Sequence, residues 1–194
     1  DLEQYVRKPE PQFGWQLKDR TEDEKSGART YDLHFVSQNW QENTWEHQLQ
    51  IFQPGRVVQN STMLLWVTGG SARPAHFSLG MELARKTGAP VAFLYHIPNQ
   101  PLLEGKLRED DLVAETFARY LKTKDENWPL LFPMVKSVVK AMDVLQAFGK
   151  QEWGGPIQDF IVSGASKRGW TTWLTAAVDQ RVRVGAREHD ALDA

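Results

Sequence analysis

Alternating apolar and polar positions predict two strands early in the chain. In the segment 31–37, Tyr31, Leu33 and Phe35 share one face, and polar residues separate them. The segment 45–52 repeats this pattern. A period of two is typical of a strand that has one covered face and one face in water. We expect both strands to form an antiparallel edge of a larger sheet.

Three later segments are apolar without alternation, which is typical of strands covered on both faces. They span residues 62–67, 91–95 and 159–163. Around them, apolar residues recur every three or four positions, and this spacing predicts helices over residues 75–86, 110–121, 134–148 and 170–178. Strands that alternate with helices favour the α/β class, with a mostly parallel sheet between two helical layers.

The composition excludes several classes of function. The formal net charge of −2 provides no attraction to nucleic acid or to an anionic membrane surface. No apolar run reaches the roughly 18 residues of a membrane span. The absence of cysteine excludes disulfides, thiolate metal ligands and a cysteine nucleophile. Because no metal-ligand motif and no nucleotide-binding glycine motif occurs, we predict neither a metal nor a cofactor.

The length of 194 residues suits a single domain. Residues 1–30 contain prolines and a charge cluster, which predict an extended N-terminal arm with a loop, and residues 31–182 would form the α/β core. The chain begins with Asp1, and its first twenty residues contain no apolar signal core. We therefore expect that a leader has been removed or that the sequence starts inside a gene.

The segment Gly164–Gly169 (GASKRG) is the strongest candidate for chemistry. It follows a buried strand and opens a helix, the context in which a serine is held on a sharp turn with its hydroxyl exposed. Ser166 is the candidate nucleophile, and the backbone N–H of Lys167 would stabilise an oxyanion. The segment departs from the G-x-S-x-G pattern because Arg168 replaces the second glycine. The alternative is an ordinary tight turn in which the serine caps the helix.

Further oxyanion donors are predicted in the turn that follows the third strand. Glycine leaves backbone N–H groups unshielded, so Gly69 and Gly70, or alternatively Ser71, are candidates, and the fold would bring them to the same end of the sheet as Ser166. A cation at position 167 or 168 would stabilise an anionic group, unless both side chains point to solvent. Candidate lining residues of the cleft are Ser71, His76 and Arg168.

The base and the acid of a serine hydrolase are difficult to find in this chain. A hydroxyl nucleophile needs a histidine oriented by a carboxylate, and in this fold both follow the serine. His189 and Asp190 do follow Ser166, but they are adjacent and do not easily form that geometry. Among the earlier histidines, His47 shares a face with apolar strand residues and is expected to be structural.

Several segments resemble the PhoPQ-activated pathogenicity-related protein family, which is similar to the α/β-hydrolases. The most specific segment is GASKRGWTTWLTAAVDQRV at residues 164–182. Other similar segments are YVRKPEPQFGWQL, SQNWQENTWEHQLQIFQP, VAFLYHIPNQPL and LLFPMVKSVVKAMD, so that the resemblance covers residues 2–182. It implies that the family's serine corresponds to Ser166 and that the protein is secreted or associated with the bacterial envelope.

The resemblance also implies a missing segment. Family members look considerably longer, with the acid and the histidine downstream of the serine. After Arg183 the sequence reads VGAREHDALDA, which is charged and lacks the expected apolar strand. We interpret residues 183–194 as a divergent tail from a shifted reading frame or a truncated gene copy. The predicted fold is the N-terminal part of an α/β-hydrolase, incomplete at its C-terminus.

The expected function is a serine-hydrolase-like domain for ester or amide bonds, inactive as this chain because its triad is incomplete. Its partner would be a small-molecule, ester or peptide substrate. The serine turn, with a basic residue after the serine, is also similar to that of glucuronoyl esterases. By this analogy, a carbohydrate ester is a further candidate substrate. The alternative is a secreted binding, signalling or virulence-associated protein on a non-catalytic scaffold. An uncovered sheet edge would favour self-association.

Overall fold

A computed structural model describes residues 1–183, which form a six-stranded mixed sheet with helices on both faces. The strands are β1 (Gly14–Glu22), β2 (Arg29–Trp40), β3 (Asn43–Gln53), β4 (Thr62–Val67), β5 (Val91–Leu94) and β6 (Asp159–Gly164). The helices are α1 (Leu2–Arg7), α2 (Pro74–Thr87), α3 (Glu109–Thr123), α4 (Leu131–Trp153) and α5 (Lys167–Val178). Across the sheet the strand order is β1-β2-β3-β5-β4-β6.

The first strands form the predicted antiparallel part of the sheet. β2 pairs with both β1 and β3, and Tyr31 and Leu33 lie opposite Ile51 and Leu49. These four side chains are buried on one face, whereas the residues between them are at least partly exposed. The alternation in the sequence thus corresponds to a strand pair with its apolar face against the core.

Residues 1–30 differ from the predicted extended arm, because they contain α1 and β1. All residues of β1 are exposed except the half-buried Trp15, so the strand has no alternating apolar face to reveal it in the sequence. α1 is held against α4 by Lys136, which is 1% exposed and donates to the carbonyl of Tyr5 at 3.3 Å. Its ammonium donates to the carbonyl of Lys8 at 2.8 Å and to the carboxylate of Glu10 at 2.5 Å.

The apolar runs of the sequence form the parallel part of the sheet. β4 lies between β5 and β6 and is parallel to both, while β5 is antiparallel to β3. Beyond β6, Val182 forms a parallel bridge with Phe160. The α/β class is therefore confirmed, with antiparallel first strands beside a parallel centre.

α4 and α2 pack against opposite faces of the sheet. On one face, Phe148 of α4 packs edge-on against Tyr31 of β2, with ring centroids 4.9 Å apart. On the other face lies α2, which approaches so closely that a β-carbon at Gly80 would lie 2.3 Å from the ring of Phe52. No helix within residues 1–183 combines the length and the apolar character needed to cross a bilayer.

Candidate active site

Ser166 occupies a strained position between β6 and α5. Its backbone has φ 56° and ψ −126°, a region that side chains other than glycine rarely adopt. The residue is exposed, and although it stands at the N-cap of α5, its hydroxyl makes no capping hydrogen bond. The turn therefore presents a free hydroxyl, which an ordinary serine cap would not do.

Small residues flank the serine because the turn is tight. A β-carbon at Gly164 would lie 2.8 Å from the β-carbon of Arg168. One at Gly169 would lie 3.0 Å from the carbonyl oxygen of Gly164. Both distances are shorter than ordinary van der Waals contact, so the sequence GASKRG suits a sharp strand-to-helix turn.

The strand register brings the diglycine turn and the serine turn to the same end of the sheet, at the carboxyl ends of β4 and β6. Val67, the last residue of β4, pairs with Gly164, the last residue of β6. Gly69 and Ser166 therefore each follow the end of one of two neighbouring parallel strands. The carbonyl of Gly70 accepts from the N–H of His96 at 3.2 Å, which fixes this turn to the segment after β5.

Three backbone N–H groups at this end of the sheet are available as donors. Within residues 1–183, the N–H groups of Lys167, Gly69 and Gly70 take part in no backbone hydrogen bond of a turn, loop or cap. That of Lys167 belongs to the first turn of α5, where N–H groups have no intrahelical acceptor. The arrangement suits the binding of an anionic oxygen.

Arg168 is engaged by a carboxylate rather than by solvent. Its guanidinium donates two hydrogen bonds to Glu109, at 2.8 and 2.9 Å, and its Nε donates to the carbonyl of Ile97 at 2.6 Å. The side chain of Lys167 donates to Glu109 at 2.6 Å and pairs with Asp110 at 2.9 Å. The basic pair that follows the serine is therefore neutralised by acidic residues of α3.

The charges around Glu109 reinforce its ionised state. The hydrogen bond from Arg168 holds the pKa of the Glu109 carboxyl well below its usual range, against the effect of burial. Burial lowers the pKa of Lys167, but hydrogen bonds from its ammonium to Glu109 and Asp110 outweigh that effect and raise it. Glu109 and Lys167 are therefore both charged at neutral pH.

The sequence did not point to Glu109 as a site residue. It starts α3, some sixty positions before Arg168, and only the acidic character of that helix start was visible in the sequence. Its backbone has φ 50°, and its N–H donates to the side chain of Gln100 at 2.8 Å. A non-glycine residue with positive φ in a polar network is a signal that only the folded chain provides.

The other predicted lining residues lie around the diglycine turn. Ser71 is exposed directly after it. His76, in the first turn of α2, packs against Phe93 and Tyr95, with ring centroids 5.8 and 5.5 Å apart. Burial and then the charge of Arg73 lower the pKa of His76, and within the described chain its buried Nδ1 has no partner.

No described residue forms a hydrogen bond that would let it act as a catalytic base toward the hydroxyl of Ser166. No histidine among residues 1–183 forms a hydrogen bond with the hydroxyl of Ser166, and His189 and Asp190 lie outside the described residues. Asp179 lies at the opposite end of α5, where it pairs with Arg181 at 2.7 Å. Residues 1–183 also contain no cluster of three or more histidines or carboxylates arranged around a metal position.

His47 has a structural environment, as its strand position predicts. The ring is buried between the hydroxyl of Ser37, 2.9 Å from Nε2, and the carbonyl of Tyr95, 3.2 Å from Nδ1. Burial lowers the pKa of His47 to about 3, so the imidazole is neutral at physiological pH. Through Ser37, it joins a buried polar network that also includes the hydroxyl of Ser137.

Solved esterases share this arrangement of strands and helices. A glucuronoyl esterase from Solibacter usitatus has a TM-score of 0.60 and 12% identity, with 90% of this chain and 51% of the esterase covered. Acetyl xylan esterase 1 from Thermoanaerobacterium sp. JW/SL YS485 has a TM-score of 0.62 and 14% identity, with 94% and 56% covered. At such low identity the similarity shows the fold alone, and that fold is α/β-hydrolase-like.

A family model assigns the chain more narrowly. The model of the PhoPQ-activated pathogenicity-related proteins matches residues 2–186, and the chain belongs to this family. A curated relative is the autocrine proliferation repressor protein A of Dictyostelium discoideum, 37% identical over 196 aligned positions. The match covers 93% of this chain and 39% of the relative. The chain thus spans well under half of the curated relative that it matches.

Proposed function

We propose that this chain carries the nucleophile and the oxyanion donors of a serine hydrolase that acts on ester or amide bonds. The observation that carries the proposal is the backbone of Ser166, which has positive φ and an exposed hydroxyl without a capping hydrogen bond. A strained turn of this kind between a buried strand and a helix presents a serine for attack on a carbonyl carbon.

The surroundings of the serine support the same reaction. In the proposed step, the hydroxyl oxygen attacks the carbonyl carbon, and the carbonyl oxygen becomes an oxyanion that needs donors. The N–H groups of Lys167, Gly69 and Gly70 are the proposed donors, since they follow the carboxyl ends of β4 and β6 and have no backbone acceptors. The proton of the hydroxyl must pass to a base, which the described residues do not provide.

The missing base leads to a specific expectation about rate. Because no histidine of residues 1–183 forms a hydrogen bond with Ser166, we expect turnover by this chain to be weak or absent, since a neutral hydroxyl is a poor nucleophile. A small general base added to the solution should replace the histidine in part. Imidazole fits this role, since it can accept the proton of Ser166 as the hydroxyl attacks.

A fluorophosphonate probe tests the proposal. Attack by Ser166 forms an oxygen–phosphorus bond, fluoride leaves, and imidazole takes the proton. We expect slow labelling that accelerates with imidazole concentration, located at Ser166 by peptide mass spectrometry. Ser166→Ala should abolish the labelling. Ser78→Ala, which removes an exposed serine of α2, is the matched control and should leave it intact.

Two other outcomes are informative. Rapid labelling without imidazole would contradict the missing base, since the chain would then have to supply one itself. A folded chain that stays unlabelled at all imidazole concentrations would overturn the hydrolase proposal. That result would favour the alternative, a binding or signalling protein on a non-catalytic scaffold.

We also propose that the protein is secreted or associated with the bacterial envelope. Membership of the PhoPQ-activated pathogenicity-related family supports this location. Fractionation of the producing cells tests it, with the protein expected in the medium or the envelope fraction. Recovery only with cytosolic markers would contradict it.

Self-association is the third proposed property. On the outer side of β6, backbone pairing within residues 1–183 is limited to Phe160, which bridges to Val182. Apolar side chains on β6 and on the helix that follows it are exposed: Ile161 of β6 at 48%, and Trp170 and Trp173 of α5 at 50% and 64%. An open strand edge beside exposed aromatic side chains supports pairing between copies of the chain.

A further inference from the structure

We propose that Arg168 is a positioning residue that sets the geometry of the diglycine turn relative to Ser166, with Glu109 as its anchor. This inference deepens the proposed function and rests on it, because it assigns to Arg168 the placement of the oxyanion donors. Arg168 lies two residues after Ser166 in the sequence. Its contacts, however, join three separate segments of the chain.

The first contact is with the diglycine turn. A β-carbon at Gly69 would lie 1.6 Å from a terminal nitrogen of Arg168 and 2.2 Å from the central guanidinium carbon. The guanidinium therefore occupies the space that a side chain at position 69 would fill. Because the guanidinium is flat and rigid, it supports the backbone of Gly69 from one side and limits where the N–H groups of this turn can point.

The second contact is with the segment after β5. The Nε of Arg168 donates to the carbonyl of Ile97 at 2.6 Å, and the N–H of Ile97 donates to the carbonyl of Thr68 at 3.0 Å. Ile97 is fully buried. Arg168 thus reaches the diglycine turn twice, once through its guanidinium and once through this buried backbone bridge.

Glu109 fixes the guanidinium in this orientation. Its carboxylate accepts two hydrogen bonds from Arg168 in the parallel fork that a guanidinium forms with a carboxylate. The amide of Gln100 donates to the same carboxylate at 2.5 Å, and the oxygen of Gln100 accepts from the N–H of Glu109. The anchor is therefore held from its backbone as well as from its side chain.

This network argues against a direct role of Arg168 in binding charge. Arg168 is 9% exposed, and its charge is compensated by a carboxylate at two positions. An arginine that attracted anionic substrates would present its donors to the cleft. The geometry instead directs the fork toward Glu109 and the flat face toward Gly69, which suits support of a neighbouring loop.

The test combines one substitution on α5 and one on α3 with matched controls, which both lie on α3. Arg168→Lys keeps the charge but removes the fork, and Glu109→Gln keeps the shape but removes the charge of the anchor. The controls are Arg119→Lys and Glu115→Gln, since Arg119 and Glu115 form an ion pair at 2.7 Å one turn apart. The readouts are the backbone amide signals of Gly69 and Gly70 in nitrogen-15 NMR spectra and the rate of fluorophosphonate labelling with imidazole.

We expect Arg168→Lys and Glu109→Gln to move the amide signals of Gly69 and Gly70 and to slow labelling about tenfold or more. The controls should change neither. Amide signals that stay in place in both Arg168→Lys and Glu109→Gln would overturn the inference, whatever the labelling rate. The spectra, taken together with the labelling of the unmodified chain, separate the two proposals. If the signals move while the unmodified chain is never labelled, the positioning role is supported and the hydrolase proposal fails.

Discussion

Gly69 and the guanidinium of Arg168 are in direct contact, because a β-carbon at Gly69 would lie 1.6 Å from a terminal nitrogen of Arg168. The neighbouring Gly70 has room for a methyl group, with its nearest neighbour, a terminal nitrogen of Arg73, at 3.6 Å. Two adjacent glycines of one turn therefore differ sharply in the space around them. That difference yields the first prediction.

Gly69→Ala should destabilise the fold, and Gly70→Ala should not. A methyl group at position 69 must displace a guanidinium that is held by Ile97 and Glu109, and we expect a loss of about 1–3 kcal/mol in the free energy of unfolding. Urea unfolding of the two variants beside the unmodified chain measures it. Equal stability of the two variants would contradict the contact.

The strain at Ser166 can be measured by its release. Ser166→Gly should be more stable than Ser166→Ala by about 1 kcal/mol, because glycine accepts positive φ at no steric cost while alanine does not. Both variants lack the hydroxyl, so the comparison isolates the backbone. Thermal unfolding under identical conditions provides the difference. If alanine is the more stable replacement, the turn does not store strain at this residue.

Lys136 should be essential for the attachment of the N-terminal segment. Replacing it with Met leaves the carboxylate of Glu10 and the carbonyl of Lys8 without their buried donor, at a cost of about 3 kcal/mol. Lys140→Met is the matched control, since Lys140 is one turn away on α4 and pairs with Asp143 near the surface. Chemical unfolding should show a large loss only for Lys136→Met. Similar losses in both variants would argue against a special role for the buried ammonium.

His47 should make the fold sensitive to acid. Its pKa is about 3 in the folded chain and 6.5 ordinarily, so between these values the unfolded chain binds a proton that the folded chain does not. Stability therefore falls as the pH drops below 6.5, by about 1.4 kcal/mol per pH unit from this residue once the unfolded imidazole is protonated.

His47→Gln isolates that contribution. The glutamine can still bond to Ser37 and to the carbonyl of Tyr95, but it does not titrate. We expect the free energy of unfolding of the variant to decline less steeply between pH 6 and pH 4 than that of the unmodified chain. Parallel curves for the two proteins would show that His47 does not contribute.

Self-association should depend on the apolar surface beside β6. Light scattering coupled to size-exclusion chromatography should report assemblies whose mass rises with protein concentration. The double variant Ile161→Lys with Trp173→Gln should reduce this mass, because it removes an exposed apolar side chain from β6 and another from α5. Leu121→Gln, at an exposed leucine of α3, is the control and should not. A monomer that unfolds in one sharp two-state transition would refute the prediction.

Much of the fold was predictable because the local pattern of apolar residues indicates the strands and helices. The alternation around Tyr31 and Leu33 indicated a half-covered strand, and the continuous apolar runs indicated the buried ones. β1 was missed because it is almost entirely exposed and has no apolar period. α1 was missed because it is short and depends on Lys136, a partner far along the chain.

By itself, the sequence determined the elements of this protein, its α/β class, its family resemblance and the turn that holds Ser166. These features depend on residue spacing within a few positions and on the need for glycine in a tight turn. Only the tertiary structure decided that β5 lies between β3 and β4. It alone also decided that the guanidinium of Arg168 donates to the carboxylate of Glu109 instead of facing solvent. The physical reason is distance along the chain, because a contact between residues in separate elements leaves no periodic trace in either of them.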